Sequence, residues 1–271
     1  MNRVDFSRMV AVFVLSLLLI ASRGGAQTEL EGLFARLSER PLDRRVIWKL
    51  EGHPADARII PALREAFEKR EAQEEKQWIA VALLRLGERS DRYYQFLAGF
   101  ATEAIDDRTP LFVKYDSQGM PIRGQFSAEF ENWCAINHKD PRAVAAKQLY
   151  GYLQDVLFLA EAEDARADGL FRRGLDSPNP GVVGYSVQGL GRLNDVSAIP
   201  LIAKTVEHLP AHDLGTLLMN LPWYTRPEAY QLMERLDPDP KARKFRMDEV
   251  ERTRLFERQA IQARTGRAAP K

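Results

Sequence analysis

Two histidines and one cysteine have the types and spacing that chemistry would need. His208 and His212 stand four apart, a spacing that puts two imidazoles on one helix face for zinc. Pro210 interrupts that helix, so we expect a solvated turn instead. Cys134 reaches His138 on a helix, but this thiol and imidazole pair has no third group to orient it. We expect a buried, small apolar Cys134, with an intermolecular disulfide or a reactive thiol as the alternative.

The sequence carries none of the short motifs of hydrolases, zinc proteases, P-loop proteins or EF-hands. We therefore expect no catalytic residue, no metal and no cofactor. Aromatic side chains then become the main candidates for a binding function. Trp48 and Trp78 lie in apolar helical context and are expected in the core. Trp223 and Tyr224 occupy a turn and, if exposed, are the first candidates for contact with a partner.

The composition is that of a folded chain. It has 271 residues, of which 45% are hydrophobic, and 39 basic side chains balance 38 acidic ones. These figures exclude disorder, and a single cysteine excludes a disulfide-stapled fold. The near-neutral charge gives no reason to expect nucleic acid as a partner.

Residues 1–26 have the layout of a secretory signal peptide. A basic start precedes an apolar run from Met9 to Ala21 and a small-residue exit that ends at Ala26. The run is much shorter than the roughly 20 residues that span a bilayer. We expect export to the periplasm or the cell exterior after cleavage near Ala26, with an uncleaved anchor as the alternative.

The mature chain is expected to be a series of helices joined by short turns, with one interruption. Helices are predicted at 28–37, 43–51, 56–70, 77–86, 90–102, 141–159, 164–175, 181–193, 197–209, 211–221 and 226–236. The implied segments are an N-terminal helical block at 27–105, an insertion at 106–140, a second helical block at 141–238 and a basic tail at 239–271. Short links make consecutive helices antiparallel neighbours.

Self-similarity indicates how these helices are arranged. The segment from Asp56 to Pro61 (DARIIP) recurs from Asp195 to Pro200 (DVSAIP), each time with a proline in a first helical turn. With the run from Gly169 to Leu193, these segments resemble the HEAT-repeat family over about residues 40–105 and 162–238. The resemblance implies an all-α fold, an ARM-type α-solenoid of stacked antiparallel helical hairpins, and little about chemistry. Three glycines would let its helices approach closely: Gly184, Gly189 and Gly191.

The insertion is expected to form a β-hairpin followed by a helix. Leu111 to Tyr115 is strand-like, a turn follows, and the chain returns through Phe126 before Ser127 caps a helix. Tyr115 and Trp133 make this hairpin a candidate recognition element. A packed plug between the two helical blocks is the alternative.

The tail from Asp239 onward carries ten basic and five acidic residues, and we expect a charged helix there. It docks lightly on an acidic body, contacts a partner, or meets an anionic membrane surface weakly. Its candidate contact residues are Lys241, Arg243, Lys244 and Arg246.

The sequence therefore predicts an exported, non-catalytic interaction or scaffold protein with a protein partner and no nucleic acid. The alternatives are a lyase-type enzyme on a HEAT-like scaffold and a module that binds the membrane surface or cell wall through the basic tail.

Overall fold

The computed structural model describes residues 29–116, 120–207, 209 and 213–265. The predicted signal peptide, the turn at 117–119 and the His208 and His212 pair lie outside these residues. The described chain is mostly helical, with a two-stranded sheet. Its α-helices are α1 (29–36), α2 (Arg44–Glu51), α3 (Ile59–Lys69), α4 (Gln73–Arg85), α5 (Asp91–Asp106), α6 (Ala128–Ile136), α7 (Pro141–Ala146), α8 (Tyr152–Glu161), α9 (Asp168–Gly174), α10 (Pro180–Leu193), α11 (Ile199–Val206), α12 (Leu214–Asn220), α13 (Pro227–Leu236) and α14 (Pro240–Thr265).

Local capping sets many of the helix starts close to the predicted positions. The side chain of Asn179 accepts a hydrogen bond from the Gly181 backbone at 2.9 Å, and Pro180 occupies the first turn of α10. Gly87 has a left-handed φ of 89° after α4, a conformation that glycine adopts readily at a helix end. Gly52, which follows α2, is right-handed instead, with φ −69°.

The helices pack in pairs, and successive pairs contact each other. We call α3, α5, α9 and α11 the first row. Of these helices, α3 packs on α4, α5 on α8 and α9 on α10. The helices α2, α4, α8, α10 and α12 also contact one another in that order. A continuous apolar core runs through both rows, from Leu30 to Met233. Because each central helix has neighbours on several sides, α4 and α10 are apolar nearly all round, as the sequence shows.

Three glycines of α10 allow the close approach that the sequence predicts. A Cβ added to Gly184 would lie 2.6 Å from the side chain of Thr216, and one on Gly189 would lie 2.5 Å from the ring of Phe171. A Cβ on Gly191 would lie 2.8 Å from the Cβ of Trp223. Distances this short are not sustained between carbon atoms, so side chains at these positions would separate α10 from its neighbours.

The insertion forms the predicted hairpin and helix. Strand β1 (Val113–Tyr115) pairs antiparallel with β2 (Pro121–Phe126), and α6 follows, capped by Ser127. Phe130 and Cys134 are buried in a second, smaller hydrophobic core. Cys134 is 1% exposed, which confirms the expected burial, and this burial raises the pKa of its thiol, with a further contribution from Asp140.

A π-helical segment, Lys147–Gly151, interrupts the helix predicted at 141–159 and fastens the insertion to the helical body. The buried side chain of Gln148 accepts a hydrogen bond from the Phe112 backbone at 3.2 Å and donates one to the Pro110 carbonyl at 3.1 Å. The wider π turn thus directs an amide side chain at the loop that enters the hairpin.

The C-terminal helix α14 packs against α13 and the short helical turn Leu221–Trp223. Val250 is only 5% exposed, so α14 buries part of its surface on the body. Among the described residues, no helix combines the length and the apolar character that crossing a bilayer requires.

Candidate functional site

Four turns between helices share one hydrogen-bonding geometry. In each, a carboxylate accepts a hydrogen bond from the backbone N–H two residues further on, just before the next helix of the first row. The acceptors are Asp56 at 2.9 Å, Glu88 at 3.3 Å, Asp164 at 3.0 Å and Asp195 at 3.1 Å. The sequence comparison relates only the first and the last of these turns.

Arginine side chains hold two of these carboxylates in the charged form. Hydrogen bonds from Arg58 lower the pKa of Asp56 to about 2. Arg166 lowers the pKa of Asp164 in the same way. It also forms an ion pair at 2.6 Å with Asp91, the first residue of α5. The turns are therefore linked to the neighbouring helical pair by charge as well as by apolar packing.

The helices that precede three of these turns end in the same way. Gly87, Glu163 and Asn194 have left-handed φ values of 89°, 52° and 56°. The N–H groups of Glu88 and Asp195 each return to a carbonyl five residues earlier, at 2.9 and 3.0 Å. This is the Schellman arrangement, which satisfies the last carbonyls of a helix.

Residues at these turns and on α14 enclose a pocket of about 460 Å³. We call it the arginine pocket, and its principal lining side chains are Arg85, Arg89, Glu163, Arg192, Trp223 and Arg254. The ends of α4, α8 and α10, the turn at Trp223 and the helix α14 each contribute. Sequence reasoning missed these arginines because they are far apart in the chain and follow no common spacing.

Trp223 and Tyr224 are buried, so the exposure on which their candidacy as partner contacts depended is not found. Trp223 is 7% exposed, and its ring centroid lies 3.8 Å from the guanidinium carbon of Arg192. Tyr224 is fully buried, and burial raises the pKa of its hydroxyl. The turn sinks into the body because Gly191 has no side chain to hold it away.

The pocket is held together by short polar contacts around Trp223. Arg192 forms an ion pair with Glu163 at 2.8 Å, and the guanidinium of Arg254 donates a hydrogen bond to the carbonyl of Trp223. The guanidinium carbon of Arg254 also lies 5.3 Å from the Trp223 ring centroid. Through these cation–π contacts, Trp223 forms part of the pocket wall.

The aromatic candidates of the insertion are partly buried. The hydroxyl of Tyr115 donates a hydrogen bond to the carboxylate of Asp213 at 2.9 Å. Burial and this carboxylate raise the pKa of Tyr115. Trp133 packs, half-buried, against the small core around Phe130. Tyr115 therefore anchors the insertion to the start of α12, whereas Trp133 packs against the insertion's own small core.

The other two tryptophans differ from each other. Trp78 is partly buried against the main core, as expected. Trp48 is 39% exposed, so its predicted place in the core is wrong. It lies on the outer side of α2, where the guanidinium carbon of Arg44 stands 5.0 Å from its ring centroid.

The basic candidates on α14 divide into two groups. Lys241 and Lys244 are exposed, and Lys244 pairs with Asp248 at 2.9 Å. Arg243 donates to the carbonyl of Asp237 at 2.5 Å, and Arg246 forms an ion pair with the carboxylate of that residue. Arg243 and Arg246 therefore help to hold α14 on the body.

Within the described part of the chain, no cluster of three or more His, Cys, Asp or Glu side chains is placed to hold a metal ion. Comparison with models of known protein families gives no match. Comparison with curated proteins gives none either.

Proposed function

We propose that the chain is an exported α-solenoid of stacked, antiparallel, HEAT-like helical hairpins that binds another protein or scaffolds an assembly. The observation that carries the proposal is the repetition of one turn geometry between successive helical pairs. Four carboxylates accept the same backbone hydrogen bond before helices of the first row, and the helices before three of these turns end in the same left-handed cap, which α6 of the insertion shares. Repetition of this kind is typical of units that stack on their neighbours.

The helices α2, α4, α8, α10 and α12 contact one another in that order, and we call them the helix row. Its central helices α4 and α10 are largely buried, so the row offers a binding surface mainly at its ends. Trp48 on α2 and Met219 on α12 are each 39% exposed at its two ends. Exposed tryptophan is a common anchor of protein interfaces.

The polar clusters also favour a structural and binding role over catalysis. Asp56 and Asp164, whose pKa values are lowered, accept hydrogen bonds from the backbone and from adjacent arginines. Their charge thus stabilises turns. Export is proposed from residues 1–26, and N-terminal sequencing of the protein from fractionated cells tests it.

Site-specific photo-crosslinking in the native host tests partner binding. A photoreactive amino acid replaces Trp48 or Met219 on the helix row, and Gln95 on α5, an exposed residue of the other row, serves as the matched control. We expect the same crosslinked protein from both helix-row positions and not from the control. Absence of a specific crosslink at the helix row, or equal crosslinking at position 95, would contradict the proposal.

A further inference from the structure

The arginine pocket gathers positive charge from separate segments of the chain. Arg85 and Arg192 lie in the last turns of α4 and α10. Arg89 lies in the turn after α4, and Arg254 lies on α14. Glu163 is the acidic residue in the lining, so the lining carries three more positive than negative charges. Outside the lining, Glu51 lies 3.9 Å from Arg85. Because like charges repel one another, an anion in the pocket would lower the electrostatic energy of the remaining positive charge.

The helix ends explain part of this charge. The C-terminal carbonyls of a helix carry a partial negative charge of about half an elementary charge, which a basic residue in the last turn offsets. Arg85 and Arg192 fulfil this role, and Arg192 also pairs with Glu163 at 2.8 Å. Arg89 and Arg254 belong to neither helix end, so the helix dipoles do not account for them.

Arg89 is the most available of these groups. Arg89 is exposed, and among the described residues no carboxylate forms an ion pair with it. It acts on Asp164 only as a nearby charge that helps to lower the pKa of that residue. Arg254 is fixed at the pocket by its hydrogen bond to the Trp223 carbonyl.

We propose that the arginine pocket binds a small anion that carries two or more oxyanion charges, as carboxylates or phosphates. Guanidinium groups recognise both kinds of oxyanion through paired, charge-assisted hydrogen bonds. The volume of about 460 Å³ falls within the range of small-molecule sites. Trp223, with Arg192 packed at 3.8 Å, supplies a rigid wall. This proposed ligand site is separate from the proposed binding of a partner protein and does not depend on it.

Calorimetric titration of the full chain with citrate and with pyrophosphate, at low and matched ionic strength, tests the proposal. We expect at least one probe to bind, with an affinity that falls as sodium chloride is added. Arg89→Gln should weaken binding by about tenfold or more, the usual effect of removing a charged hydrogen-bond donor. Arg142→Gln, at an exposed arginine that does not line this pocket, is the matched control and should leave binding unchanged.

The two probes distinguish the ligand classes. Binding of citrate alone assigns the pocket to carboxylates, and binding of pyrophosphate alone assigns it to phosphates. The proposal is overturned if neither probe binds, or if the two arginine variants weaken binding equally. Crosslinking at the helix row is unaffected by these outcomes, so the two proposals fail separately.

Discussion

Replacement of Gly189 by alanine is expected to destabilise the protein, although alanine is the better helix former. The new Cβ would lie 2.5 Å from two carbons of the Phe171 ring. Phe171 is 1% exposed, so its ring is surrounded by other atoms of the tightly packed core. Overpacking of a core costs up to about 3 kcal/mol, and the higher helix propensity of alanine returns about 1 kcal/mol. We expect a net loss of about 2 kcal/mol in the free energy of unfolding, which lowers Tm by roughly 4–8 °C.

Urea unfolding followed by far-UV circular dichroism measures this change, and Gly99→Ala is the matched control. Gly99 lies within α5, and a Cβ added to it would meet no atom within 4 Å. This control should be about 0.5–1 kcal/mol more stable than the wild type, because only the propensity effect remains. Gly189→Ala should also cost less in a Phe171→Leu background than in the wild type. Wild-type or higher stability of Gly189→Ala would refute the close packing of α9 on α10.

Three further predictions concern a turn, the insertion and the tail. The pKa of Asp56 is 3.8 when unperturbed and about 2 in the folded protein, so its stabilisation is present above 3.8 and lost as the pH falls toward 2. Asp56→Asn should therefore be less stable at neutral pH, and the difference in denaturant midpoint from the wild type should shrink over that acidic range. Tyr115→Phe should lower the free energy of unfolding by about 1–2 kcal/mol because the Asp213 carboxylate loses a donor, whereas Tyr150→Phe, at an exposed hydroxyl, should not. Val250→Asp should release α14 from the body and accelerate tryptic cleavage within it by about tenfold or more, and an unchanged cleavage rate would show that α14 is not docked there.

Local signals in the sequence predict the helices well. Asn179 and Ser127 act as N-caps where the sequence places helix starts, and Gly87 ends α4. These features depend on residues within one turn of each other, so a single segment contains the information. The close approach at Gly191 is also predictable, because a small residue in an apolar helix indicates a tightly packed neighbour.

Burial at the turns depends on distant segments and is harder to predict. Trp223 is covered by Arg192 and by Arg254, which lies 31 residues further along the chain. Trp48 has the apolar sequence neighbours of a core residue, but it remains 39% exposed in the described part of the chain. The same limit applies to the arginine pocket, whose basic side chains meet only when the turns lie side by side.

The repeated turn shows a second limit. Glu88 and Asp164 accept the same hydrogen bond as Asp56 and Asp195. The residues around them differ so much that sequence comparison does not detect the relation. The left-handed position is glycine in one turn, Glu163 in another and asparagine in a third. Backbone geometry is thus conserved between the turns where side-chain identity is not.

The distance between the two ends of the helix row tests the stacked arrangement most directly. Nitroxide labels at Lys49→Cys on α2 and Met219→Cys on α12 occupy exposed positions, and the buried Cys134 does not compete for the label. Four helix-to-helix steps of about 8–10 Å each predict a separation of roughly 32–40 Å by pulsed electron paramagnetic resonance. A separation below about 20 Å, the span of two such steps, would mean that the helices close into a bundle and would contradict the solenoid.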